Sequence, residues 1–125
     1  MAYKETLQKK SVSQLKAIAV RHFHKFIRTR DKDLPCISCG RYTKLQAGHF
    51  YSASNSSVRF NEDNVNGQCI QCNHFLSGNL LPYRQNLIKK IGQERVDKIT
   101  LNVEMSKKFG FKWSRLFLIE TILKY

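Results

Sequence analysis

Two Cys-x-x-Cys pairs, Cys36/Cys39 and Cys69/Cys72, hold all four cysteines of the chain and limit its fold more than any other feature. Two thiolates at this spacing reach one ion from a single tight turn, and two such turns supply a closed tetrahedral set of sulfurs. Gly40 follows the first pair directly and closes its turn. Structural disulfides, an iron–sulfur cluster and a redox dithiol are the other uses of paired cysteines. Disulfide frameworks belong to oxidising compartments, and the opening MAYKETLQKK has no apolar signal segment. A redox enzyme needs one such pair, not two. The expectation is a structural Zn2+ on Cys36, Cys39, Cys69 and Cys72 that staples a segment too short and polar to fold alone. No apolar run is long enough to span a bilayer, so a cytoplasmic protein is expected.

Helical patterning flanks this segment. Leu15, Ile18, Ala19, His22, Phe23, Phe26 and Ile27 recur at three- and four-residue spacing and predict a helix over about 11–30. His22 and His24, two apart on that helix, face different ways and read as solvated or core-edge histidines rather than ligands. Asp31 to Pro35 end the helix. Leu45 to Tyr51 and Val65 to Ile70 read as short strands around a polar loop, SASNSS, and a short helix is expected over 73–76. Pro82 and Gly92 punctuate a helix over 80–91. A shorter amphipathic helix follows over 94–101. The last helix, 112–124, is apolar nearly all round, and so either packs deep in the domain or makes a subunit contact. One domain over 1–125 is expected, with the helix 11–30, a zinc-clamped core 34–79 and helices over 80–125.

Charge narrows the partners. Lysine and arginine number 22 against 9 acidic residues, a net charge of +13. Such an excess in a small domain is the footprint of a polyanion binder, since each neutralised phosphate releases condensed counterions. DNA or RNA is the expected partner; a concentrated basic amphipathic helix of the membrane-surface kind is missing.

The residues with chemistry to offer lie between and just after the cysteine pairs. A strand bearing His49, a loop, Asn64 before the second strand, then Asn73 and His74 at a helix start is the order of a ββα-metal nuclease. In such chemistry a neutral imidazole takes a proton from the attacking water, while one Mg2+ or Mn2+ neutralises charge on the scissile phosphate. An Asn carbonyl suits a hard cation, and an imidazole can join it. Plainer uses exist for each: His49 as a packed histidine, Asn64 as a turn residue, Asn73 or His74 as a helix cap. Ser77, Gly78 and Asn79 read first as a turn. Arg59 and Arg84 are candidate DNA phosphate contacts.

The stretches FIRTRDKDLPCISCG, AGHF, RFNEDN, QCIQCN and SGNLLPYRQNLIKKIG, with KWSR near the end, resemble the HNH endonucleases that carry a four-cysteine zinc site. More closely they resemble the NinG (Rap) family of lambdoid phage recombination proteins. The likeness runs from the first helix onward. It implies an α+β fold: a small zinc-stapled ββα-metal core of HNH type with flanking helices at both ends. It also implies a structure-directed DNA endonuclease acting on branched recombination intermediates, Holliday junctions and D-loops among them, in the cytoplasm of a phage-infected host. By position, the resemblance makes His49 the general base. It makes Asn64 the central Asn that orients the base or contacts the metal, and puts Asn73 where many members have the final His. His74, one residue on, is the alternative ligand. Many members carry Asp before the base, whereas here it is Gly48; Gln46, Asp63, a backbone carbonyl or water would have to supply that ligand. The competing readings are a non-catalytic zinc-containing nucleic-acid-binding module and an accessory partner of recombination proteins that docks through the last helix. Paired cuts across a junction would suit a homodimer, with that helix as its interface.

Overall fold

The computed structural model describes residues 2–125, and Met1 lies outside them. Helices and one two-stranded sheet make up the described residues, a mixed α+β arrangement. They sort into two compact units, one taking the chain up to Phe26 with Lys112–Tyr125, the other Ile27–Phe111.

The first unit is helical. Helix α1, Ala2–Gln8, buries one residue, Leu7, and so carries no apolar repeat for the sequence to betray. Helix α2, Val12–Arg30, starts where Ser11 caps it. Ser11 Oγ accepts from Gln14 N at 3.1 Å while Gln14 Oε1 accepts from Ser11 N at 2.9 Å, a reciprocal pair that satisfies two helix-end donors. Leu15, Ala19 and Phe23 are fully buried at four-residue spacing. Helix α5, Arg115–Lys124, begins three residues later than the expected 112 because Ser114 caps it, its Oγ accepting from Phe117 N at 3.3 Å. Leu118, Ile119 and Ile122 on α5 are buried, whereas Leu116, Phe117 and Leu123 are exposed. Arg115 Nη2 donates to Gln8 O at 2.6 Å, and Phe23 meets Tyr125 edge to face at 5.0 Å.

The second unit is built on an antiparallel hairpin. Strand β1, Gln46–His49, pairs with β2, Val65–Gln68, so that Gln46 faces Gln68 and His49 faces Val65. The strand pleat turns Gln46, Gly48, Asn66 and Gln68 to one side. Helix α3, Leu80–Ile91, meets that side through Tyr83, whose buried hydroxyl donates to Gly48 O at 2.7 Å and accepts from Asn66 Nδ2 at 3.2 Å. Helix α4, Gln93–Phe109, outruns the expected 94–101, because Val96, Ile99 and Val103 continue one buried stripe. The glycines on either side of α4, Gly92 at φ +90° and Gly110 at φ +84°, adopt the left-handed backbone that lets the chain leave a helix. Ile37, Val58, Tyr83, Leu87, Val96, Ile99 and Val103 form the core, with Phe50 and Tyr51 packed on it.

An ion network missed in the sequence joins the end of α2 to the hairpin. Arg30 grips Asp31 with Nε–Oδ1 at 2.7 Å and Nη2–Oδ2 at 2.8 Å, and donates to Glu62 O and Val65 O at 3.0 and 2.9 Å. Asp31 Oδ2 accepts from Gly67 N at 2.8 Å, and Lys90 Nζ donates to Asn66 Oδ1 at 2.7 Å. Among the described residues no helix is long and apolar enough to cross a membrane.

Candidate metal centre and cleft

The four cysteine sulfurs lie within 4.8 Å of one another, with Cys39 Sγ and Cys69 Sγ 3.7 Å apart. Tetrahedral zinc with bonds of about 2.3 Å puts its sulfurs about 3.8 Å apart, so the spacing fits such an ion. No disulfide links them. Each pair sits in its own turn: Gly40, at φ +77°, donates its N–H to Cys36 O at 2.9 Å, and Asn73 N donates to Cys69 O at 2.8 Å. Cys36, Cys69 and Cys72 are buried and Cys39 is exposed.

Donors surround the sulfurs in the way thiolates require. Cys69 N reaches Cys36 Sγ at 3.3 Å, Cys72 N reaches Cys69 Sγ at 3.5 Å, and Asn79 Nδ2 reaches Cys72 Sγ at 3.4 Å. Arg41 spans two of them, Nε to Cys39 Sγ at 3.4 Å and Nη2 to Cys69 Sγ at 3.7 Å. Burial works to raise the Cys39 thiol, but Arg41 and its neighbours outweigh it and bring its pKa down to about 6. Burial dominates at Cys72, whose thiol is pushed up to about 12. A bound zinc ion deprotonates its thiols outright, and the Arg41 guanidinium offsets part of the excess negative charge of a four-thiolate site. The cluster can hold a metal ion such as zinc, and the spacing had brought these four cysteines together in advance.

Beside it opens a cleft of about 700 Å³ whose polar lining includes His49, Asn55, Asn73, Ser77 and Arg84, with Tyr51, Leu80 and Leu81 on its apolar side. His49 is the last residue of β1 and is half-buried, with Nε2 shielded from solvent. Asn73 comes to the same cleft from a single π-helical turn, Gln71–Phe75, formed where a short helix over 73–76 was expected; Leu76 N donates to Gln71 O at 2.9 Å. Asn73 Nδ2 donates to Gln46 Oε1 at 2.9 Å, which orients the carboxamide. Ser77, Gly78 and Asn79 follow at φ +50°, +94° and +41°, a run of left-handed backbone that folds the chain back before α3. Such strain concentrates at working sites.

Other expected site residues are placed elsewhere. Asn64 is fully buried and does not line the cleft; its Oδ1 accepts from Tyr51 N at 2.8 Å and its Nδ2 donates to Tyr51 O at 3.0 Å and Val58 O at 3.3 Å. Metal contact is therefore not its part; it pins the chain two residues beyond His49. His74 is exposed, stacks edge to face on Phe75 at 4.9 Å, and stays outside the cleft. Arg59 is half-buried, donates from Nη1 to Ala53 O at 3.0 Å, and has its pKa lowered by burial, so it holds the loop rather than standing free for phosphate. Asp63 is held by Arg95, with Nε to Oδ2 at 3.0 Å and a second contact to Oδ1. Gln46 accepts from Asn73, and neither Gln46 nor Asp63, the two side chains considered in place of residue 48, lines the cleft. Two further residues carry the cleft wall without a sequence signal: Tyr83, which ties Gly48 to Asn66, and Gln68, fully buried behind Gly48.

A family model described as "Bacteriophage Lambda NinG protein" matches residues 2–116. The chain is 56% identical over 80 residues to protein ninG of Escherichia phage lambda, which covers 62% of this chain and 39% of that protein. It is 55% identical over 80 residues to protein ninG of Escherichia phage 933W, with 62% and 40% covered. Against protein ninG of Salmonella phage P22 it is 53% identical over 77 residues, with 59% and 38% covered. The matches thus span well under half the length of these relatives. No solved structure matches the chain.

Proposed function

The chain belongs to the NinG family, and on that premise we propose that it is a divalent-metal-dependent DNA endonuclease of HNH type that cuts branched recombination intermediates. The observation that carries this reading is the meeting of His49 and Asn73, 24 residues apart in sequence, with Arg84 in one open cleft beside the cysteine cluster. A module that only binds nucleic acid has no need of a histidine held in this way.

His49 is the general base. Its strand partner Val65 and the Phe50 N to Asn64 O bond of 2.8 Å fix the backbone on both sides of it. Asn64 locks Tyr51, so the backbone that carries the imidazole is held at the cleft, where the ring takes a proton from water. Arg84 on α3 meets a DNA phosphate with a fork of donors. The cysteine cluster, with zinc, fixes β2 to the turn that carries Asn73, so its role is structural.

The cleft's oxygen donors, Asn73 Oδ1 and Ser77 Oγ, fit in kind a hard cation such as Mg2+ or Mn2+. When bound, that ion supplies neutralisation of charge on the scissile phosphate and the leaving oxygen. Among the described residues no carboxylate lines the cleft; this observation favours the second reading, a zinc-containing module that binds DNA without cutting it.

Cleavage of a labelled four-way junction and its linear duplex, with Mg2+, Mn2+ or no divalent ion, separates the readings. Wild type should cut the junction only with metal. His49→Ala, checked for retained zinc, should bind it and cut about 10²- to 10⁴-fold more slowly. Tight binding by wild type without cutting under any metal would leave the binding module.

A further inference from the structure

Helix α3 opens with two leucines that the core does not take. Leu80 is 48% and Leu81 73% exposed, and both line the cleft that holds His49, Asn73 and Arg84. Arg84 follows Leu80 by four residues and Leu81 by three, so the three share one patch of helix surface, with neighbouring Cβ atoms about 5–6 Å apart. A lone exposed leucine is ordinary. A pair at the mouth of a cleft, one turn from an arginine, marks a surface that meets something apolar and charged at once.

The backbone of this pair is fixed on both sides. Gly78 O, two residues before Leu80, accepts from Gln68 Nε2 at 2.6 Å. Pro82 follows with its φ locked by the ring. Tyr83 comes next, fully buried, its hydroxyl donating to Gly48 O at 2.7 Å. We infer that Leu80 and Leu81 form an apolar lip that packs on the open face of a base at a DNA branch point, while Arg84 holds a phosphate of the same strand. This lip sets the preference for branched over continuous DNA.

Charge selects the occupant. The chain carries +13, and among the described residues no carboxylate lines the cleft, so a polyanion is drawn there. DNA offers broad apolar surface on the faces of its bases. In a continuous duplex those faces are stacked, and a side chain must part them before it enters. A base pair at a branch point has lost a stacking neighbour on one side, so its face opens at less cost. Leucine makes no hydrogen bond to a base edge, so the contact reads the branch and not the sequence.

The inference rests on the cleft's being the DNA site of the proposed function, and not on cutting. Affinities for a labelled four-way junction and its linear duplex are measured by anisotropy in EDTA, with proteins of verified zinc content. Wild type should bind the junction more tightly. Leu81→Ser should lower the junction-to-duplex affinity ratio about tenfold, the scale of one base–side-chain stack. Leu81→Met, apolar and of similar size, should keep the ratio. Arg84→Ala should weaken both DNAs alike. A 2-aminopurine at the branch point should brighten when wild type binds, and stay dim under saturating Leu81→Ser.

Wild type that binds neither DNA overturns the proposed function and the lip together. Wild type that prefers the junction but never cuts it with Mg2+ or Mn2+ overturns the nuclease reading and not the lip. Equal binding of both DNAs by wild type, or an unchanged ratio in Leu81→Ser, overturns the lip. So does a wild-type dimer that Leu81→Ser turns into a monomer in sedimentation, which would give the leucines to a contact between copies. Should Leu81→Ser fail to load zinc, the wild-type fluorescence decides: a 2-aminopurine that stays dim at saturation overturns the assignment.

Discussion

Asn64 commits its whole carboxamide to backbone groups of Tyr51 and Val58. Replacing it by Ala strands the Tyr51 N–H and the carbonyls of Tyr51 and Val58, each worth about 1–3 kcal/mol when buried. Asn64→Ala should therefore lower stability by about 2–4 kcal/mol in a denaturant melt, and slow cleavage because the residues after His49 loosen. A wild-type midpoint would count against this. Asp31 makes a pH-dependent contribution. Burial works to raise its pKa, but Arg30, the Gly67 N–H and Lys90 outweigh it and hold the carboxyl below its ordinary value. A depressed folded pKa means the unfolded chain binds the proton first. Asp31 therefore stabilises the fold fully above pH ~4, and that contribution is lost as pH falls toward its folded pKa. Asp31→Asn should cost about 3 kcal/mol at neutral pH, the scale of a broken buried pair. Its stability should also fall less than that of wild type on acidification, in melts run over both ranges.

At the scale of elements, the hairpin is short and largely polar, so the cysteine cluster carries its cohesion. Each strand has four residues, which is too little to stand alone in water. Metal binding in small sites of this kind is folding free energy. Stripping the metal, or Cys36→Ser, should abolish cooperative thermal unfolding of the residues 27–111, read by circular dichroism against metal content. A metal-free protein melting as before would make the cluster incidental. The cysteine spacing made this part readable in advance, as did the punctuation of α3 by Pro82 and Gly92. Helix α1 was not readable, because Leu7 alone anchors it. Helix α4 looked short because exposed Leu101 and Met105 blur the stripe that Val103 extends. Gln68 was hidden for another reason: it is buried in the space that Gly48 in the other strand leaves open, and no local pattern records that.

For the whole chain, the net charge of +13 is the property on which the proposed binding of DNA rests, and it was legible by counting. Counting does not reveal which cations are free. Arg30, Arg41 and Arg95 are engaged with Asp31, cysteine sulfurs and Asp63, and Arg59 with a loop carbonyl. The two aspartates are already subtracted in +13, so it is the engagement of Arg41 and Arg59 that should make binding fall with salt less steeply than +13 suggests. Arg84, exposed at the cleft, is different. Junction binding by wild type, Arg59→Ala and Arg84→Ala, measured by anisotropy between about 50 and 200 mM salt, tests this. Arg84→Ala should lower the slope of log K against log salt by about 1. Arg59→Ala should leave that slope unchanged and lower the melting temperature instead. The reverse pattern would move the DNA path from the His49 cleft to the loop that Arg59 holds.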